Sequence, residues 1–178
     1  MKFTETPLKG AYQIDIEELA DARGFFARSF CARSFAEHGL NPAIVQSSIS
    51  FNHRKGTLSG MHLQVAPACE TKLVRCTAGA IWDVMVDMRP DSPTYLQHFA
   101  TELSASNRRA VYIPQMFAHG YLTLTDNTEI FYSMSEFYTP ETARGYRYDD
   151  PAFAIDWPAP VEVISQKDTA WPLIGDTA

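Results

Sequence analysis

An all-β fold is predicted by three features of the sequence. Turn signals recur every eight to twelve residues, at 52–56, 78–79, 89–93, 104–107, 125–127 and 139–140. The segments between them are short and β-like, a spacing that builds a sandwich or a barrel. Aromatic residues make up 12% of the chain and there are 11 prolines, which favours many short elements over a few long helices.

In chain order, strands are expected at 10–16 and 43–51, with a short helix over 32–38 between them that Gly39 and Pro42 close. The strand at 57–64 follows the first turn and puts His62 and Gln64 on one face, and the strand at 71–77 groups Lys72 with Val74 and Cys76. At 80–88, Trp82, Val84, Val86 and Met88 share an apolar face, while Asp83 and Asp87 share the other with Ile81 and Met85. That mixed face suits either a polar cavity or solvent. Strands at 95–102 and 109–114 come next. The strand at 117–124 sets His119 beside Tyr121 and Thr123, and the strand at 128–135 sets Tyr132 beside Ile130. Beyond it, Pro151, Pro158, Pro160 and Pro172 predict a mostly irregular C-terminal wrap.

No linker, repeat or charge run divides the 178 residues, so one domain over 1–178 is expected. At 20.0 kDa, roughly 70% of the unfolded surface can be buried. Fifteen Lys and Arg against 21 Asp and Glu give a net charge of -6, the wrong sign for capturing nucleic acid or acidic membranes. Neither is expected as a partner. Cys31, Cys69 and Cys76 are odd in number and lack a Cys-x-x-Cys pair, which suggests reduced thiols and no thiolate zinc site. The opening MKFTETPLKG lacks the apolar stretch of a secretory signal, so a soluble cytoplasmic protein is expected.

If the mixed strand faces converge, they form a pocket holding an acid, a base and a cation. A metal site would need more histidines than His62 and His119 on separate strands, so no metal and no cofactor is expected. Removing a proton from carbon beside a carbonyl needs a base, a charge to hold the enolate oxygen, and an acid. His62 or His119 can supply the base, Lys72 the charge and Tyr132 the acid. Taken singly, each is more ordinarily a packed or solvated strand residue.

The ordered set DARGFFARSF at 21–30, Gln46, GTLSGMHLQ at 56–64, KLVRCTAGAIWDVMVDMRPDSPT at 72–94, LSASNRRAVYIP at 103–114, FAHGYLTL at 117–124, Tyr132 and 165–168 resembles the dTDP-4-dehydrorhamnose 3,5-epimerase family. The resemblance implies a cupin-like β-barrel, or jelly roll, with short peripheral helices and a C-terminal extension, pairing as a homodimer. It implies epimerisation of a nucleotide-diphosphate sugar, a 4-keto-6-deoxyhexose, at carbons 3 and/or 5 with no cofactor. In that reading His62 is the general base, oriented by Asp168, Lys72 stabilises the enolate and Tyr132 is the acid. His119 and Asp83 would line the same pocket and support the lysine, while Arg23 would contact phosphate and Gln46 the nucleotide.

The chain also departs from the family pattern. Ser59 stands where a phosphate-holding arginine is usual, Arg28 replaces an acid, Ser48 an asparagine, and Met116 a glycine in a turn that needs positive φ. These positions imply retained enolisation chemistry with an altered substrate-holding set. The alternatives are a mono-epimerase on a different nucleotide sugar and a non-catalytic carbohydrate- or nucleotide-binding cupin.

Overall fold

Alternation along the strands sets the architecture. The computed structural model describes residues 1–176. One six-stranded sheet has β1 (Lys2–Glu5) at its edge, then β2 (Tyr12–Asp15), β10 (Ala110–Ile113), β7 (Lys72–Ala78), β12 (Thr128–Met134) and β5 (Gln46–Asn52), with every pairing antiparallel. The other sheet runs β13 (Ala143–Gly145), β6 (Thr57–Gln64), β11 (Phe117–Thr123), β8 (Ala80–Asp87) and β9 (His98–Ser104). β14 (Val163–Ile164) adds to β6 in parallel, and β3 (Leu19–Asp21) with β4 (Gly24–Phe26) forms a separate hairpin. The expected cupin-like barrel is what the chain forms.

β8 explains the layering. Its odd positions Ile81 and Met85 pack with Val74, Cys76 and Ile130 of the facing sheet, so the mixed face of this strand looks into the barrel. Its even positions Val84 and Val86 pack outward against Met61, Leu63 and Phe153. The C-terminal wrap therefore covers most of the apolar face. Phe153 is 1% exposed and pins that wrap, and truncating such an aromatic costs about 3–5 kcal/mol.

The expected elements recur with shifted ends. α1 (Ala32–Glu37) buries Phe35. β5 begins at residue 46 and not 43, because Pro42 interrupts the chain and the Asn41 side chain turns it by accepting from the Ala43 N–H at 3.0 Å. The strand expected at 95–102 begins at 98, since Ser92 and Thr94 hold a turn through Gln97. β1, β3, β4, β13 and β14 were outside the sequence expectation. They have two to four residues each, too short to show a period. The wrap also contains a four-residue helix, α2 (Gln166–Thr169), whose N-cap Ser165 accepts from the Asp168 N–H. Among the described residues no helix is long and apolar enough to cross a membrane.

Candidate active site

Between the sheets lies a cavity of about 200 Å³ that opens to solvent. His62 on β6 and His119 on β11 lie directly opposite each other in the strand register. They share one wall. Lys72 on β7 and Tyr132 on β12 come from the facing sheet and line the other. β6 and β11 approach closely because Gly60 and Gly120 carry no side chains. A Cβ on Gly60, whose φ is +142°, would lie 2.5 Å from the Gly120 Cα.

Each histidine holds a carboxylate. His62 Nε2 lies 2.6 Å from Asp168 Oδ1, which also accepts from Trp171 Nε1 at 3.2 Å. With Nε2 donating to the carboxylate, the lone pair of the ring is on Nδ1. Burial pushes the Asp168 carboxyl up, but its hydrogen bonds, above all that with His62 and then those with Trp171 and Ser165, outweigh this and hold it below the usual carboxylate range. Trp171 fits because residue 145 is glycine, where a Cβ would overlap the indole ring. The second pair joins His119 Nε2 to Asp83 Oδ2 at 2.7 Å, with Asp83 wholly buried behind it.

Lys72 differs from expectation. Asp83 was expected to support it, but the two carboxylates are divided otherwise: Asp83 holds His119, and Glu70 Oε1 lies 2.9 Å from the Lys72 ammonium. The alternation of β8 aims Asp83 at its neighbouring strand β11, whereas Glu70 precedes β7 on the chain of Lys72 itself. The ammonium also donates to the His62 carbonyl oxygen at 3.2 Å.

The substrate-holding residues divide. Ser59 lines the cavity with His62. Gln46 and Ser48 share the inward face of β5, opposite Met134 and Tyr132, but neither lines the cavity itself. Instead Gln46 Oε1 accepts from the Tyr138 N–H at 2.9 Å, and Tyr138 forms part of the wall. Arg23 and Arg28 do not line the cavity. Arg23 sits at the tip of the exposed β3–β4 hairpin, doubly bonded to Asp21, and Arg28 is exposed on the segment that follows. The hairpin is separate from both barrel sheets and keeps Arg23 outside the cavity, and Arg28 lies beyond its end. Met116 does take a positive φ of +60°, as its glycine-replacing position predicts.

Glu70, Tyr138, Lys167 and Trp171 line the cavity and were missed from sequence. Lys167 stands beside Asp168 in a motif already singled out, so adjacency was its available signal. Nothing in the spacing marks the other three. Among the described residues no three His, Cys, Asp or Glu side chains gather as a metal-binding group.

A family model for dTDP-4-dehydrorhamnose 3,5-epimerase matches residues 5–176. The chain is 41% identical over 173 residues to the dTDP-4-dehydrorhamnose 3,5-epimerase of Methanothermobacter thermautotrophicus, covering 96% of this chain and 92% of that one. Among solved structures, the enzyme of that name from Elizabethkingia anophelis superposes with a TM-score of 0.96 at 37% identity, covering 99% of this chain and 98% of the other. The epimerase of Legionella pneumophila, solved in complex with dTDP-4-keto-L-rhamnose, gives 0.92 at 36% identity, with 99% and 94% covered. With the histidine–carboxylate pair, the facing lysine and tyrosine, and a match running through nearly every strand, the chain belongs to the dTDP-4-dehydrorhamnose 3,5-epimerase family.

Proposed function

We propose that this epimerase acts on dTDP-4-keto-6-deoxyglucose, inverting carbons 3 and 5 to give dTDP-4-keto-L-rhamnose. The observation that carries the reading is the pairing of His62–Asp168 on one sheet with Lys72 and Tyr132 on the other. A sugar ring held between the sheets then meets a base on one face and an acid on the opposite face. His62 Nδ1 takes the proton from carbon next to the ketone, and the electron pair moves onto the ketone oxygen. The Lys72 ammonium stabilises that oxyanion. Tyr132 returns a proton to the other face of the same carbon, and both groups are reset by exchange with solvent. His119, held by Asp83, lines the wall beside His62.

Exposed Leu19 and Phe26 on the hairpin, and exposed Ile49 and Phe51 on edge strand β5, support a homodimer. In such a dimer Arg23 and Arg28 would serve the neighbour's cavity, where phosphate contacts are needed. A single catalytic domain in the cytoplasm fits the continuous barrel and the three free thiols. Ser59 favours a second reading, a different nucleotide sugar or inversion at one carbon only, because a hydroxyl there replaces a bidentate cation. The test is incubation in deuterated water with several 4-keto nucleotide sugars, read by NMR. Deuterium at carbons 3 and 5 of the dTDP sugar is expected. Exchange at one carbon would establish the mono-epimerase, and no exchange with any sugar would leave a binding protein.

A further inference from the structure

We infer that Glu70 is a positioning residue for Lys72, setting where its ammonium stands over the substrate. The inference rests on the proposed role of Lys72 at the enolate oxygen. An ammonium has three N–H donors. One is given to the His62 carbonyl oxygen at 3.2 Å, and the ammonium is held as an ion pair 2.9 Å from Glu70 Oε1. The ammonium keeps donor capacity for the cavity that Lys72 lines. The His62 contact ties the cation to the strand that carries the base, and Glu70 supplies the second anchor that stops the long side chain from rotating about it.

Glu70 is suited to this and to little else. It is 6% exposed, and Lys72 is its only ion-pair partner among the described residues. Its second oxygen, Oε2, is buried with no protein partner. Buried acceptors without partners are rare and costly, so a carboxylate kept here for packing alone would be a poor choice. Neither Asp83 nor Asp168 can replace it, because each is committed to a histidine.

The test measures kcat, KM and the affinity for dTDP in Glu70 variants, with deuterium exchange as the chemical readout. Glu70→Ala is expected to lower kcat about ten- to a hundredfold while leaving dTDP affinity unchanged, the usual cost of losing a residue that orients a catalytic group. Glu70→Gln keeps the Oε1 acceptor in place and is expected to recover most of the rate. Glu70→Asp keeps the charge but retracts it by one methylene, and is expected to recover less. In a Lys72→Met background, Glu70→Ala should cost nothing further, because its effect passes through the lysine. Wild-type kcat in Glu70→Ala, or the same further loss with and without Lys72, overturns the inference. If Glu70→Ala does not fold, the order of the Gln and Asp variants decides it: an active Asp with an inactive Gln means charge and not position. Failure of the wild-type protein itself to exchange deuterium would strike the reaction reading and not Glu70.

Discussion

The two histidine–carboxylate pairs are chemically alike and sit side by side, yet they are built differently. Both have ring nitrogen to oxygen distances near the short end for such contacts, 2.6 Å for His62–Asp168 and 2.7 Å for His119–Asp83. His62 is 38% exposed, whereas His119 is 11% exposed. The partner of His119 comes from the adjacent strand of the same sheet, so that pair forms with the barrel. The partner of His62 arrives on α2 at the end of the wrap, 106 residues away in sequence. Proximity of a carboxylate is thus common to both histidines. Both line the cavity. The more open access, and dependence on the tail, belong to His62.

The largest expected effect follows from that access. His62→Asn should lower the rate of deuterium exchange by at least about 10²- to 10⁴-fold, the typical worth of a general base, with thermal unfolding little changed. Near-normal exchange would remove His62 from the role and leave His119 as the candidate. Asp168→Asn comes next, with an expected loss of about ten- to a hundredfold in kcat, since a group orienting the base is removed and the base remains. Gly145→Ala should give a similar loss without touching either residue. Its methyl displaces Trp171, which is bonded to Asp168. A crystal structure of that variant with Trp171 unmoved would refute the mechanism. Asp83→Asn should cost less, about tenfold or under in kcat/KM, because the residue it holds is the shielded one. A larger loss there than in Asp168→Asn would reverse the ranking of the two pairs.

How much of this was readable in the sequence depends on whether a residue acts within its own strand. His62, Lys72, His119 and Tyr132 were visible because each breaks the apolar pattern of a well-marked strand, and alternation then fixes the face. Residue pairing was less visible. Strand alternation alone does not tell whether Asp83 or Glu70 pairs with Lys72, and only the orientation of β8 and the turn before β7 determine which of them reaches it. Asp168 was identified through family resemblance, since a carboxylate in a proline-rich tail carries no period of its own. Tyr138 and Trp171 stand outside the strands, where no repeat predicts direction, and they reach the cavity through loop geometry alone. The β3–β4 hairpin was missed for the same reason: three-residue strands have too few positions to show alternation.

A third buried aspartate gives the comparison its control. Asp87 lies on β8 four residues after Asp83, on the same inward face, but it has no histidine. Its oxygens accept from the Arg89 guanidinium and from the Ser92 and Thr94 hydroxyls. Burial pushes this carboxyl up, but those hydrogen bonds prevail and bring its pKa down to about 2. A depressed pKa stabilises the folded state only while the carboxylate is ionised. The contribution is therefore complete above about pH 4 and is lost as pH falls from there toward 2, amounting to about 2 kcal/mol. Asp87→Asn should lower stability by about that much at neutral pH and flatten the acid limb of the stability profile, measured by urea unfolding between pH 2 and 7. Its kcat per folded molecule should match the wild type, because the residue faces a turn and not the cavity. A fall in kcat as large as that of Asp83→Asn would mean that any buried charge on β8 tunes the site, and that the histidine contact is not what distinguishes Asp83.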